Sequence, residues 1–191
     1  MNIKNLVNDA YAKDISAKER AAKRIAQKMV SMWDLSAPYG YCVEKINGIY
    51  KLMVEPEAAK IVRRIFEEYA SGDGIQSIID RLFEDRVHRI SDYNQYHHVY
   101  CQDGENLHQW GNSSIRAVLN RNNYYGDLVQ RKYESRFQRG EKWCDILDES
   151  QWIITPNAHE PIISRELFEK AQVRLKAAQQ KATKTNCRVG R

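Results

Sequence analysis

The stretch Trp110-Gly-Asn-Ser-Ser-Ile-Arg-Ala-Val-Leu-Asn-Arg-Asn-Asn-Tyr-Tyr-Gly-Asp-Leu-Val-Gln-Arg131 describes a short helix, predicted over 113–121, that breaks into a strand. Ile115, Val118 and Leu119 recur at i, i+3 and i+4 and make one face apolar. Arg116 and Asn120, four apart, share the opposite and solvated face. Arg can donate two hydrogen bonds to the acceptors of guanine, and Asn can pair in the same way with adenine. Ser113 and Ser114 bring hydroxyls and backbone amides to the helix start, where a phosphate can sit. A solvated helix with an Arg and an Asn is also an ordinary surface feature, so the surrounding chain has to decide between the two.

Downstream, Tyr124 to Lys132 reads as a strand. A charged turn through Gly140 then leads to a second strand around Trp152 to Thr155. Two strands joined by a basic tip, beside a helix that can read bases, resemble a wing. Arg121, Arg131, Lys132, Arg136, Arg139 and Lys142 supply its cations. Pro161 precedes a last helix capped by Ser164, with Glu166 in its first turn and Leu167, Phe168, Ala171 and Leu175 apolar. From Lys181 onward, with Lys184, Arg188 and Arg191, no apolar period remains, and 181–191 is expected to be a flexible basic tail.

Upstream, Pro56 opens an amphipathic helix through Ala58, Ala59, Ile61, Val62, Ile65, Phe66 and Tyr69 that stops near Gly72. Gly74 starts another, with Ile75, Ile78, Ile79 and Leu82 inward, ending near Asp85. A polar loop follows from His88 to Gln109. Asn47-Gly48 between Tyr41–Lys45 and Ile49–Val54 is a strong hairpin signal. Residues 3–12 and 16–32 read as helical, the second with so much charge around a thin apolar stripe that it suits a connector. The pattern predicts an α+β fold: a mainly helical domain with small β-hairpins and a winged-helix-like part, preceded by a connector helix.

The chain has 191 residues, 42% hydrophobic and 29% charged, enough to bury a core and too apolar for disorder. No apolar run approaches the roughly 20 residues that cross a bilayer, and the N-terminus has no signal-peptide core, so a cytoplasmic protein without membrane contact is expected. The net charge of +5 is unevenly placed. Seven cations face three acids between Ser113 and Lys142, eight face two between Arg165 and Arg191, and a third basic stretch runs from Lys18 to Lys28. Such clustering suits a polyanionic partner, and double-stranded DNA is the one expected.

Cys42, Cys101, Cys144 and Cys187 are widely spaced without a Cys-x-x-Cys pair, which argues for free thiols rather than a zinc ribbon or redox motif. His97, His98, Cys101 and His108 carry zinc-type ligands, but their spacing matches no zinc pattern, and a solvated loop is the simpler reading. Asp145, Asp148 and Glu149 contain the carboxylates a two-metal nuclease needs, yet they sit in a charged turn where a solvated face explains them. Neither a metal nor a cofactor is therefore expected, and no catalytic residue can be assigned.

The order of the pieces resembles the recombinase domain of the large serine recombinases, the family of phage integrases and mobile-element transposases. The resemblance is carried by Ala37-Pro38-Tyr39-Gly40-Tyr41, by Val54 to Ala58 continuing through Val62 to Phe66 and Tyr69, and by Trp110 with Ser114-Ile115-Arg116 and Leu119. Tyr124-Tyr125-Gly126 and His159 to Ser164 with Phe168 complete it. Departures are local: Trp33-Asp34-Leu35 where the family has a Gly, Leu82-Phe83 for its Leu-Asn, and Arg121-Asn122 for its Asn-Pro. The resemblance implies three parts. Residues 1–33 would be the connector helix from an N-terminal catalytic domain, 34–180 the DNA-binding recombinase domain, and 181–191 a linker toward a zinc ribbon. It also implies that the parent recombines DNA at specific sites and meets other protomers through that catalytic domain. No Tyr-x-Arg-x-Ser segment is present, so the chain by itself is expected to be non-catalytic. The rival is a stand-alone winged-helix transcription regulator, and a nuclease is the third reading.

Overall fold

The computed structural model of the chain describes residues 37–130, 132–135 and 144–189, the last nine by backbone only, together with positions 8, 11, 12, 14, 15, 18, 19 and 21. Those isolated N-terminal positions are helical, including 14 and 15 between the two expected helices. The remainder of both helices lies outside the described residues.

From residue 37 the described fold starts with a hairpin, β1 (Tyr41–Ile46) and β2 (Ile49–Val54), in register from Tyr41 opposite Val54 to Ile46 opposite Ile49. Its turn residues Asn47 and Gly48 have φ of 52° and 81°. This is the double positive φ that a two-residue hairpin of this hand requires and that Asn-Gly tolerates best. Helix α1 (Pro56–Ser71) follows, with Pro56 in its first turn, Glu57 favourably placed at its positive end and Gly72 closing it. Helix α2 (Ile75–Glu84) starts from Gly74, as its apolar period predicts.

The segment expected as a polar loop is more structured than its composition suggests. It holds a short helix, α3 (Ile90–Tyr96), and an antiparallel bridge between Val87 and Tyr100. Seven residues with few apolar positions give no readable period. Local hydrogen bonds hold the helix instead: buried Asp92 accepts from Arg89 at 3.1 Å and lies 3.0 Å from His108 Nδ1.

Helix α4 (Asn112–Leu119) comes next, then a 3-10 turn over Asn122–Tyr125 and strand β3 (Leu128–Gln130). The expected strand from Tyr124 to Lys132 is thus shortened at its start. Tyr124 carries high β propensity, but tertiary packing overrides it by drawing the ring into the core. Strands β4 (Tyr133–Ser135) and β5 (Cys144–Ile146) form a small hairpin where a charged turn was expected. Strand β6 (Ile153–Thr155) pairs with β3, and α5 (Arg165–Val189) closes the fold. Among the described residues the strands form three antiparallel pairs.

The core lies where α1, α2, α4 and α5 meet. It takes Ile61, Val62, Ile65 and Phe66 from α1, and Ile78, Ile79 and Leu82 from α2. Ile115, Val118 and Leu119 of α4 and Phe168, Ala171 and Leu175 of α5 complete it. Leu167 N donates to Ser164 Oγ at 3.2 Å, the cap expected for α5. The helix then continues to Val189, so 181–189 has helical backbone where a non-periodic linker was expected. That segment has no Pro and no Gly before Gly190, and its Lys, Ala and Arg are good helix formers that need no apolar face to propagate a helix already begun.

Candidate nucleic-acid interface

Helix α4 is held from beneath. Ile115 and Leu119 are fully buried and Val118 nearly so, while Asn112, Ser113, Arg116, Ala117 and Asn120 are exposed. Gln172 Nε2 of α5 donates to Leu119 O at 2.6 Å and ties the end of α4 to the body. The apolar period thus fixes which face the helix shows to solvent, and Arg116 and Asn120 lie on it together as the spacing predicts.

The exposed face is internally connected. Arg116 Nε donates to Asn112 Oδ1 at 3.2 Å, and Asn120 Nδ2 donates to Arg116 O at 2.9 Å. Asn120 is the residue that closes the helix, and its backbone N–H and its side-chain amide both donate to Arg116 O. Its side-chain oxygen does not take part in that bond, and neither do the two Nη groups of Arg116 in theirs. The start of the helix differs from expectation. Gly111, not a serine, is the capping residue, and it makes no side-chain cap. The Ser114 amide donates to Gly111 O at 3.0 Å, so it is engaged rather than open to a phosphate. Ser113 is exposed and Ser114 half-buried.

Past the helix, Arg121 is exposed and Lys132 half-buried, its Nζ 4.9 Å from the centre of the Trp152 ring. Burial and the positive charge of Arg121 both push the Lys132 ammonium below its usual pKa. The end of α4 and the root of the β4–β5 hairpin therefore bring two like charges together, an arrangement that favours an anion between or beside them. On that hairpin Tyr133 and Ile146 are cross-strand partners and are 64% and 77% exposed. Sequence reasoning passed over this apolar pair, as it did Asn112 and Trp152. An i, i+4 spacing to Arg116 was the available signal for Asn112. Arg131, Arg136, Arg139 and Lys142 lie outside the described residues, as do the side chains of Lys181, Lys184 and Arg188.

The tyrosine, glycine and histidine motifs that carry the family resemblance turn inward. Tyr124 OH donates to Tyr39 O at 2.9 Å, and Tyr41 OH donates to Glu160 O at 2.8 Å. Burial raises both phenol pKa values well above the usual range, so each remains a neutral donor. Arg63 Nε and Nη2 converge on Ile162 O at 3.2 and 3.1 Å. Arg165 lies 4.5 Å over the Tyr125 ring and pairs with Asp127 at 2.9 Å. Arg174 donates to the carbonyls of Tyr69, Gly72 and Asp73, locking α5 against the end of α1. Of the basic residues in α5 that look available for an anion, Arg165 and Arg174 are thus spent on the fold.

His159 belongs to the same construction. Its Nε2 lies 2.6 Å from Asn123 O, and its ring meets Tyr41 edge-on at 5.0 Å. Burial depresses its pKa, with the Asn123 carbonyl and Asp127 opposing that shift. The folded state therefore binds this proton less well than the unfolded chain. The contribution of His159 to stability is full above about pH 6.5, the ordinary histidine value, and is lost as pH falls toward the lower folded value. Urea titrations at stepped pH should show stability declining below that point, and His159→Gln should flatten this part of the profile. An identical slope in the variant would remove His159 as the cause.

Solved structures to which the backbone is similar share little sequence identity with this chain. A chain from "Sequence Requirements of the Listeria innocua prophage attP site" is 17% identical, with a TM-score of 0.49, over 83% of this chain and 51% of its own length. A chain from "Crystal Structure of a LSR-DNA Complex" is 16% identical, with a TM-score of 0.48, over 83% of this chain and 42% of its own. This chain thus spans about half or less of the length of each. The family model for Recombinase matches residues 56–178, from the first turn of α1 well into α5. Since that match covers more than half of the sequence, the chain belongs to the Recombinase family.

Proposed function

We propose that this chain is the DNA-binding domain of a site-specific recombinase of the large serine type, and that it positions a separate catalytic domain on attachment or transposon-end DNA. The observation that carries the proposal is α4. Its apolar face is buried, its Asn112–Arg116–Asn120 face is solvated, and the Arg121 and Lys132 cations stand at its end where the β4–β5 hairpin begins. Membership in the Recombinase family supports it. Arg116 and Asn120 would reach base edges in the major groove. Asn120 would keep its bond to the helix end while its oxygen and remaining N–H face a base. Ser113, Ser114, Arg121 and Lys132 would contact phosphates beside them. Arg131, Arg136, Arg139 and Lys142 on the hairpin side, and Lys181, Lys184 and Arg188 at the C-terminal end, would add contacts that neutralise charge without reading sequence.

The test uses duplexes selected by the protein itself from a random pool. On the selected site, Arg116→Ala should lose about 1 to 3 kcal/mol and relax preference at one position. Arg136→Ala or Arg139→Ala should weaken selected and scrambled duplex alike and lower the salt slope by about one unit. Recombination and strand cutting would reside in the catalytic domain, so supercoiled plasmid should remain intact with the purified chain and Mg²⁺. A folded Arg116→Ala protein that keeps full preference for the selected site removes α4 as the reading element. Nicking that is lost in an Asp145→Ala/Asp148→Ala variant would instead establish the nuclease reading.

A further inference from the structure

We propose that His88, His98 and Glu105 form a binding site for a divalent ion of the zinc class, which fastens the segment between α2 and α4. The three ligand-bearing side chains converge although they are separated along the chain, and their donor atoms all lie within 4.8 Å of one another. Glu105 stands between the imidazoles, with Oε2 3.0 Å from His88 Nε2 and Oε1 2.9 Å from His98 Nε2. The fold sets this spacing. His88 N donates to Val99 O and Cys101 N to Arg86 O, both at 2.8 Å, so the antiparallel bridge at Val87 and Tyr100 brings the two histidines side by side. Their ring centres are 5.3 Å apart.

The hydrogen-bond pattern favours a cation. His98 Nδ1 is 2.9 Å from Tyr100 O, a carbonyl that can only accept, so Nδ1 carries hydrogen. In a neutral ring Nε2 then presents a lone pair, and it faces a carboxylate oxygen. Two acceptors at 2.9 Å require a positive species between them, either a second ring proton or a metal ion. Donation of the far ring nitrogen to a backbone carbonyl is the usual support for a metal-bound histidine. Glu105 is oriented as well: the Gln102 amide donates to its Oε2 at 2.8 Å. His88 is fully buried, and its Nδ1 has no hydrogen-bond partner, so this ring is in the core at the cost of one unsatisfied nitrogen. A purely packing role would be filled better by an apolar side chain. Two imidazole nitrogens and one carboxylate are a donor set suited to Zn²⁺, with water completing the coordination. Cys101 is nearby but not a ligand, since its thiol is directed to the Gln102 and Glu105 carbonyls.

The site is tested without DNA. Protein freed of metal with a chelator is titrated with Co²⁺, followed by visible absorption, and then with Zn²⁺, followed by calorimetry and thermal unfolding. One equivalent of Co²⁺ should give the intense bands of low coordination and be displaced by Zn²⁺, and Zn²⁺ should raise Tm by several degrees. His98→Ala, at a half-exposed position, and Glu105→Gln should each weaken Zn²⁺ binding at least tenfold and abolish the Tm increase. A variant replacing all four cysteines by serine should retain both. Absence of Zn²⁺ and Co²⁺ binding at micromolar metal overturns the proposal, and so does binding that survives in both His98→Ala and Glu105→Gln or disappears in the cysteine variant.

Discussion

Replacing Tyr124 by alanine is expected to destabilise the fold by about 3 to 5 kcal/mol, the range for truncating an aromatic side chain in a closed core. Tyr124 is 1% exposed, stacks with Tyr41 at 6.1 Å and meets Phe66 edge-on at 5.8 Å. Phe66 in turn touches Phe168, so one ring joins the entrance to β1, α1 and α5. Truncation would leave a cavity among elements that cannot collapse independently. Tyr124→Phe separates packing from hydrogen bonding. It keeps the ring but leaves Tyr39 O without its donor, and should cost about 1 to 3 kcal/mol. Urea unfolding of both variants checks this. Equal losses in the two would mean that the hydroxyl, not the ring, is the dominant contribution.

A second large effect is expected at Gly40, where alanine should cost about 2 to 5 kcal/mol through added left-handed backbone strain and overpacking. Gly40 has φ of 92°, and a Cβ there would lie 2.9 Å from Ile162 Cδ1 and 3.0 Å from Val62 Cγ2. Both neighbours are buried and have little room to retreat. Gly48 provides the control. It also has positive φ, but a Cβ there would meet nothing within 4 Å, so Gly48→Ala isolates the backbone part. Thermal unfolding of the two variants should place Gly40→Ala well below Gly48→Ala. Equal shifts would show that crowding at Gly40 is relieved by movement of Ile162.

These two positions show what was legible in the sequence. The helices α1, α2 and α4 could be found because their apolar residues recur at 3.6-residue spacing, and the β1–β2 hairpin because Asn-Gly specifies its turn. The solvated Arg116 and Asn120 face followed from the same arithmetic. What stayed hidden was set by contacts distant in sequence. Tyr124 looks like a strand residue until Tyr39, Tyr41 and Phe66 surround it. Arg165 and Arg174 look available for an anion until Asp127 and the end of α1 claim them. His88 and Glu105 could not be grouped with His98, because the Val87–Tyr100 bridge that assembles them leaves no periodic trace. The β4–β5 strands are three residues each and carry charge, so neither length nor alternation announces them.

The long-range clasps also govern how the chain reaches its folded state. Tyr41 bonds to Glu160 across 119 positions, Arg63 to Ile162 across 99, and Arg174 to Asp73 across 101. Helical domains usually fold fast because their contacts are local, whereas contacts that close loops of this size must meet the entropy of closure before any packing compensates. The two ends of the described region are stitched to each other as well as to their sequence neighbours. A nascent chain ending before Glu160 would therefore lack the Glu160 carbonyl that accepts from Tyr41, the Ile162 carbonyl that accepts from Arg63 and the face of α5 that covers Phe66. Folding is expected to be late and all-or-none, with the apolar faces of α1 and α4 uncovered until the last helix has emerged, which makes the nascent chain a natural client for chaperones.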